Sequence, residues 1–200
     1  MGIIEILGLA GSISLLSGWR LYLCILATGI AMHFGVLALP AHLASLGILA
    51  NPWVMGVSGF AALCEFFADK VLWLDSLWDT VHTVIRPLGG AMLTLAIVDP
   101  GDPATQVIAF ILGGGGALLA HGGKAGARAV VNTSPEPFSN VAVSTVEDVA
   151  TGGLLYLAFS NPVAAGAVAL VLFVLALGLL IFAGRLLKRL LGNRDAPAPE

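Results

Sequence analysis

Long apolar runs, separated by short polar or Pro/Gly-rich connections, make up most of this chain. The first spans residues 3–34, too long for one straight crossing at about 20 residues per span, and Arg20 sits in its middle. Its first half carries Gly8, Gly11, Ser12, Ser14, Ser17 and Gly18, small residues that favour helix only weakly. Two readings stay open: a break or re-entrant turn followed by a helix over residues 19–34, or one long tilted helix packed closely through small residues. Residues 35–47, with Pro40 and His42, form a connection.

A second span is expected over residues 48–68, closing with Glu65 and Asp69 and followed by a polar turn over 70–74. Residues 75–98 predict a third helix, amphipathic at first and apolar later, and the Asp-Pro-Gly-Asp-Pro run 99–103 predicts a loop. A fourth segment, 104–131, is interrupted by the glycine run 113–116, which permits close helix approach or local unwinding. Residues 132–140, with Pro135 and Pro137, read as a loop, and 141–159 as a fifth segment. The sixth, 163–183, is the most uniformly apolar and reads as a plain lipid-facing helix.

The pattern predicts an all-α, polytopic transmembrane bundle of about six membrane segments over residues 1–191, with a disordered cytoplasmic tail at 192–200. Composition agrees. Of the 200 residues, 58% are hydrophobic and 10% charged, against roughly 25% charged in a typical soluble domain. A soluble surface could not be covered with so few charges. The net charge of −3 offers no basic field for nucleic acid. Cys24 and Cys64 lie inside apolar runs and read as buried thiols, not as a disulfide or metal pair. Residues 1–6 lack the basic start of a signal peptide.

Arg185, Lys188, Arg189 and Arg194 cluster after the last run, which predicts a cytoplasmic C-terminus in an inner (plasma) membrane. Six crossings would make the N-terminus cytoplasmic too. A weak internal echo pairs Ser17-Gly-Trp-Arg20 with Ala125-Gly-Ala-Arg128, and Asp75-Ser-Leu-Trp-Asp79 with Ser144-Thr-Val-Glu-Asp148. A duplicated half would produce it, and so would chance.

The charges change the picture most. Each ionisable residue at the bilayer centre costs roughly 2.5–3.5 kcal/mol, so such groups turn inward, find partners and mark pathways. Asp75, Asp79, His82 and Arg86 are spaced four, three and four apart, on one helical face with Thr83 beside them. An Asp79–His82 pair could exchange protons near neutral pH, and Pro87, Gly89 and Gly90 would loosen the helix after Arg86. A solvated face at the membrane surface is the alternative. Glu65 and Asp69 add two carboxylates, a set that suits a proton relay or a hard cation, or a salt network at the helix ends.

His121, Lys124 and Arg128 form a basic stripe, partnering those acids, binding an anionic headgroup, or anchoring the helix at the membrane surface. Asn140, Ser144, Glu147 or Asp148, and Thr151 form a polar stripe, and Asn132 lies in the preceding loop. Arg20 requires a buried acidic partner. The glycine run lacks the Lys-Ser/Thr of a phosphate loop, and no nucleophile–base or metal-ligand spacing supports an enzyme or a cofactor. His33 and His42 are isolated and read as structural.

The runs Glu65-Phe-Phe-Ala-Asp-Lys70, Leu74-Asp-Ser-Leu-Trp-Asp79, His82-Thr83 and Arg86-Pro87, then His121-Gly-Gly-Lys124, Arg128, Asn132, Ser134-Pro135, Ser139-Asn140 and Glu147-Asp148, resemble a bacterial membrane family, domain of unknown function 4126. The resemblance covers residues 6–187 and implies no activity. Three functions remain: a small ion- or proton-coupled transporter or channel-like protein with a buried charged site, a protein that binds or translocates lipid through its headgroup, and a non-catalytic assembly protein. The bilayer is the expected partner, with an anionic lipid or small ion or solute as ligand.

Overall fold

The computed structural model describes residues 3–35, 47–98, 103–131 and 137–192, and its regular elements are all helical. They are α1 (Ile3–His33), α2 (Pro52–Ala68), α3 (Leu72–Ile97), α4 (Pro103–Val131), α5 (Pro137–Ser160) and α6 (Pro162–Gly192). Four open on proline, whose fixed φ suits the first helical position and whose missing N–H would have no partner there. Asn51 caps α2 by accepting from the Trp53 amide at 2.9 Å, and Asn161 caps α6 by accepting from the Ala164 amide at 3.0 Å. Four helical stretches, Ile3–His33, Pro103–Arg128, Val141–Ser160 and Pro162–Phe182, are long and apolar enough to cross a membrane. These are the helices of a membrane protein.

Several boundaries differ from the sequence expectation. α3 begins at Leu72 and α5 at Pro137, so stretches read as loop are helical. α6 continues to Gly192, past the apolar run and through its basic residues. The glycine run does not interrupt α4, and Pro87 does not break α3. The glycines serve close packing instead: a Cβ on Gly113 would collide with the Thr94 side chain, and one on Gly90 with Ala117 and Ser17. That is why α3 and α4 approach so closely. The thiols are both free, and Cys64 is only half-buried. Residues 36–46, 99–102, 132–136 and 193–200, including His42, Asn132, Arg194 and the predicted tail, lie outside the described residues.

α1 touches every other helix. It is broken at Arg20, whose φ of −144° and ψ of 71° leave the helical region. Of the two readings of this run, the break is the one present. From Gly8 onward the first arm is largely enclosed, with Leu9, Ile13, Leu16 and Ser17 buried, while Ile3, Ile4 and Leu7 are exposed. Its neighbours give its direction. Gly8 lies against Pro162 and Gly166, the Ser14 hydroxyl donates to the Gly113 carbonyl at 2.7 Å, Gly18 lies against Ala117, and Trp19 meets Lys124. Residue numbers rise together, so this arm runs parallel to α4 and α6.

Strict alternation of six crossings would set α1 antiparallel to α4, and the pairing excludes it. The second arm runs antiparallel to α2, with Leu26 beside Gly59 and the segment at Leu49 and Met55 beside Gly29. Residue 3 therefore lies at the same end of the bundle as the start of α6.

Candidate functional site

The bundle divides along its length. One half, around residues 7–16 of α1, 94–98 of α3, 105–116 of α4 and 166–173 of α6, is apolar and borders an open cleft of about 410 Å³ lined by residues such as Leu7, Ser14, Thr94, Gly113 and Phe173. The other half holds the charges, around the break in α1. Asp75, Asp79, His82 and Arg86 are all buried, so their shared face of α3 turns inward instead of lying at a solvated surface.

Arg86 is fully buried and organises one group. Its Nη2 donates to Glu65 Oε1 at 2.6 Å, and its Nη1 donates to Asp79 Oδ1 at 3.0 Å and to His121 Nδ1 at 2.6 Å. Thr83 Oγ1 donates to the Asp79 carbonyl and lies 3.1 Å from His121 Nε2. This arrangement defines the tautomer. A guanidinium can only donate, so His121 Nδ1 is an acceptor, the ring is neutral, and its one N–H points from Nε2 to Thr83. His82 does not pair with Asp79 as a proton couple. Its Nδ1 donates to the Trp78 carbonyl at 2.7 Å and its Nε2 lies 2.9 Å from the Tyr22 hydroxyl, while the Trp78 ring stacks on it at 4.4 Å.

Asp69 organises a second group. It stands in the turn after α2, fully buried. Its Oδ2 lies 2.7 Å from both Arg20 Nη1 and Lys124 Nζ and 3.4 Å from Arg128 Nη2, and its carbonyl accepts from Arg128 Nη1 at 3.0 Å. Burial alone would raise its carboxyl, but Lys124, Arg20 and Arg128 outweigh that and hold it below the usual carboxylate range. Arg128 also holds Glu147 through Nη2 at 2.8 Å and lies 4.0 Å from Asp75. Arg20 Nη2 reaches Asp148 Oδ1 at 2.5 Å, and Lys70 meets the other oxygen at 3.2 Å while bonding Ser144. Glu147 and Asp148 remain partly exposed at the rim.

Five elements thus meet: the break in α1, the end of α2, the inner face of α3, the basic stripe of α4 and the acidic turn of α5. Asn140 lies in α5, but its side chain is outside the described atoms. Among the described residues no three His, Cys, Asp or Glu side chains converge as metal ligands, and Glu65, Asp69, Asp75 and Asp79 each have an Arg or Lys within 4.0 Å. Nor do the charged side chains line the large cleft, which lies in the apolar half. Sequence reasoning passed over Tyr22 and Trp78 as site residues. Lys70 read as a turn residue, and a tyrosine hydroxyl two positions after Arg20 was the only local sign that the second arm also faces the polar layer.

A family model described as Domain of unknown function (DUF4126) matches residues 7–181. No curated protein and no solved structure matches the chain.

Proposed function

Since the chain belongs to the Domain of unknown function (DUF4126) family, whose name carries no activity, we propose a function from its geometry: a small ion- or proton-coupled carrier whose charge layer rearranges as it works. The observation that carries this reading is Arg20. A buried arginine at a helix break bridges Asp69 and Asp148 on two other elements, and broken helices with charged neighbours are how many transporters build an ion site. Protonation or ion binding at a shared carboxylate such as Asp148 would favour one pairing over another and move α1 relative to α5.

A headgroup-binding role is less well supported, because Asp69 and Glu147 already occupy donors of Lys124 and Arg128. The same tight pairing favours a second reading, a static network that sets helix register. Reconstitution in liposomes with an internal pH-sensitive dye separates the two. The carrier reading expects proton or ion flux under a pH gradient, lost in Asp148→Asn and Asp79→Asn variants that fold. A folded wild type without flux, or flux unchanged in both variants, would refute it.

A further inference from the structure

The two groups differ in charge balance. Around Asp69, four cations (Arg20, Lys70, Lys124, Arg128) face four carboxylates (Asp69, Asp75, Glu147, Asp148). Around Arg86, one guanidinium faces two carboxylates, Glu65 and Asp79. His121 adds nothing, because it accepts from Arg86 and is neutral. With both acids ionised, this group carries one surplus negative charge. Glu65 is also completely buried, and its Oε2 has no hydrogen-bond partner. A surplus charge and an unmatched carboxylate oxygen at a buried site are each costly, and one small cation on Oε2 removes both.

We infer that Glu65 is the seat of one exchangeable monovalent cation, a proton or a sodium ion, whose presence depends on the second carboxylate at Asp79. Tyr22 and Cys24 face Glu65 from α1, and Arg86, Asp79 and His82 from α3, with His121 of α4 behind Arg86. No cation among these balances the second acid. The site shares the buried layer with the carrier reading but does not require movement, so it is tested by equilibrium binding and can stand where flux is absent.

The test uses the full chain in nanodiscs at neutral pH. Infrared spectra report a protonated buried carboxyl through its carbonyl stretch, and melting with sodium replaced by choline at constant ionic strength reports bound sodium. A bound proton gives the infrared band without a sodium effect; bound sodium gives the reverse. Either signal is expected to vanish in Glu65→Gln and in Asp79→Asn, which restores charge balance, and to persist in Asp148→Asn. If Glu65→Gln does not fold, Glu65→Asp is expected to move the band or weaken the sodium effect. Absence of both signals in the wild type, or a signal unaltered by the Glu65 and Asp79 variants, overturns the inference.

Discussion

Arg86→Met is the sharpest perturbation of the buried layer. The side chain is fully enclosed and, among the described residues, supplies the only strong cation within bonding reach of Glu65 and Asp79, along with the donor for His121. Methionine fills a similar volume without a charge. Removing one partner of a buried ion pair costs about 3–5 kcal/mol, because the other charge is left uncompensated. Arg20→Met is the matched control. Arg20 is equally buried, but its partners keep other cations: Lys124 and Arg128 remain for Asp69, and Lys70 for Asp148. The expected order is therefore a larger loss for Arg86→Met than for Arg20→Met. In the triple variant Arg86→Met/Glu65→Gln/Asp79→Asn, which carries no stranded charge, most of the loss should be recovered. Unfolding in mixed micelles by increasing SDS fraction measures all three. Equal losses for the two single variants, or no recovery in the triple, would refute the assignment of Arg86 as the central neutralising group.

Three other outcomes follow from the geometry. Cysteines placed at Ile4 and Arg185 should label from opposite sides of the membrane, because the first arm of α1 runs parallel to α6; labelling from one side would overturn that topology. Gly113→Ala should destabilise by about 1–3 kcal/mol through overpacking against Thr94, whereas Gly115→Ala, whose added Cβ meets nothing within 4 Å, should be neutral or stabilising by up to about 1 kcal/mol; thermal melts of the purified variants decide. Asp69 has a depressed carboxyl in the fold, so its contribution is complete above the unfolded value of about pH 4 and is lost as pH falls further. Melting temperature should therefore drop on the acid side of about pH 4, with a flatter acid limb in Asp69→Asn.

Much of this protein follows from its sequence. Apolar runs about as long as a bilayer is thick leave little choice but membrane helices, and proline or asparagine at their starts marks where most of them begin. The three- and four-residue spacing of Asp75, Asp79, His82 and Arg86 puts those side chains on one face whatever surrounds the helix, since that spacing is a property of the helix itself. Pairing is another matter. Asp79 could have met His82 along its own helix, yet Arg86 reaches back two turns to it while Tyr22 takes the histidine. Lys70, which reads as an ordinary turn residue, closes onto α5.

These choices depend on which helices lie side by side, and neighbours distant in sequence leave no local signal. The glycine run shows the same division. Its composition permits either an unwound segment or close packing, and only the approach of α3 and α1 selects packing. The direction of α1 was likewise beyond the reach of composition: a single residue leaves helical geometry at Arg20, and contacts with α4 and α6, not hydropathy, decide which way the chain runs.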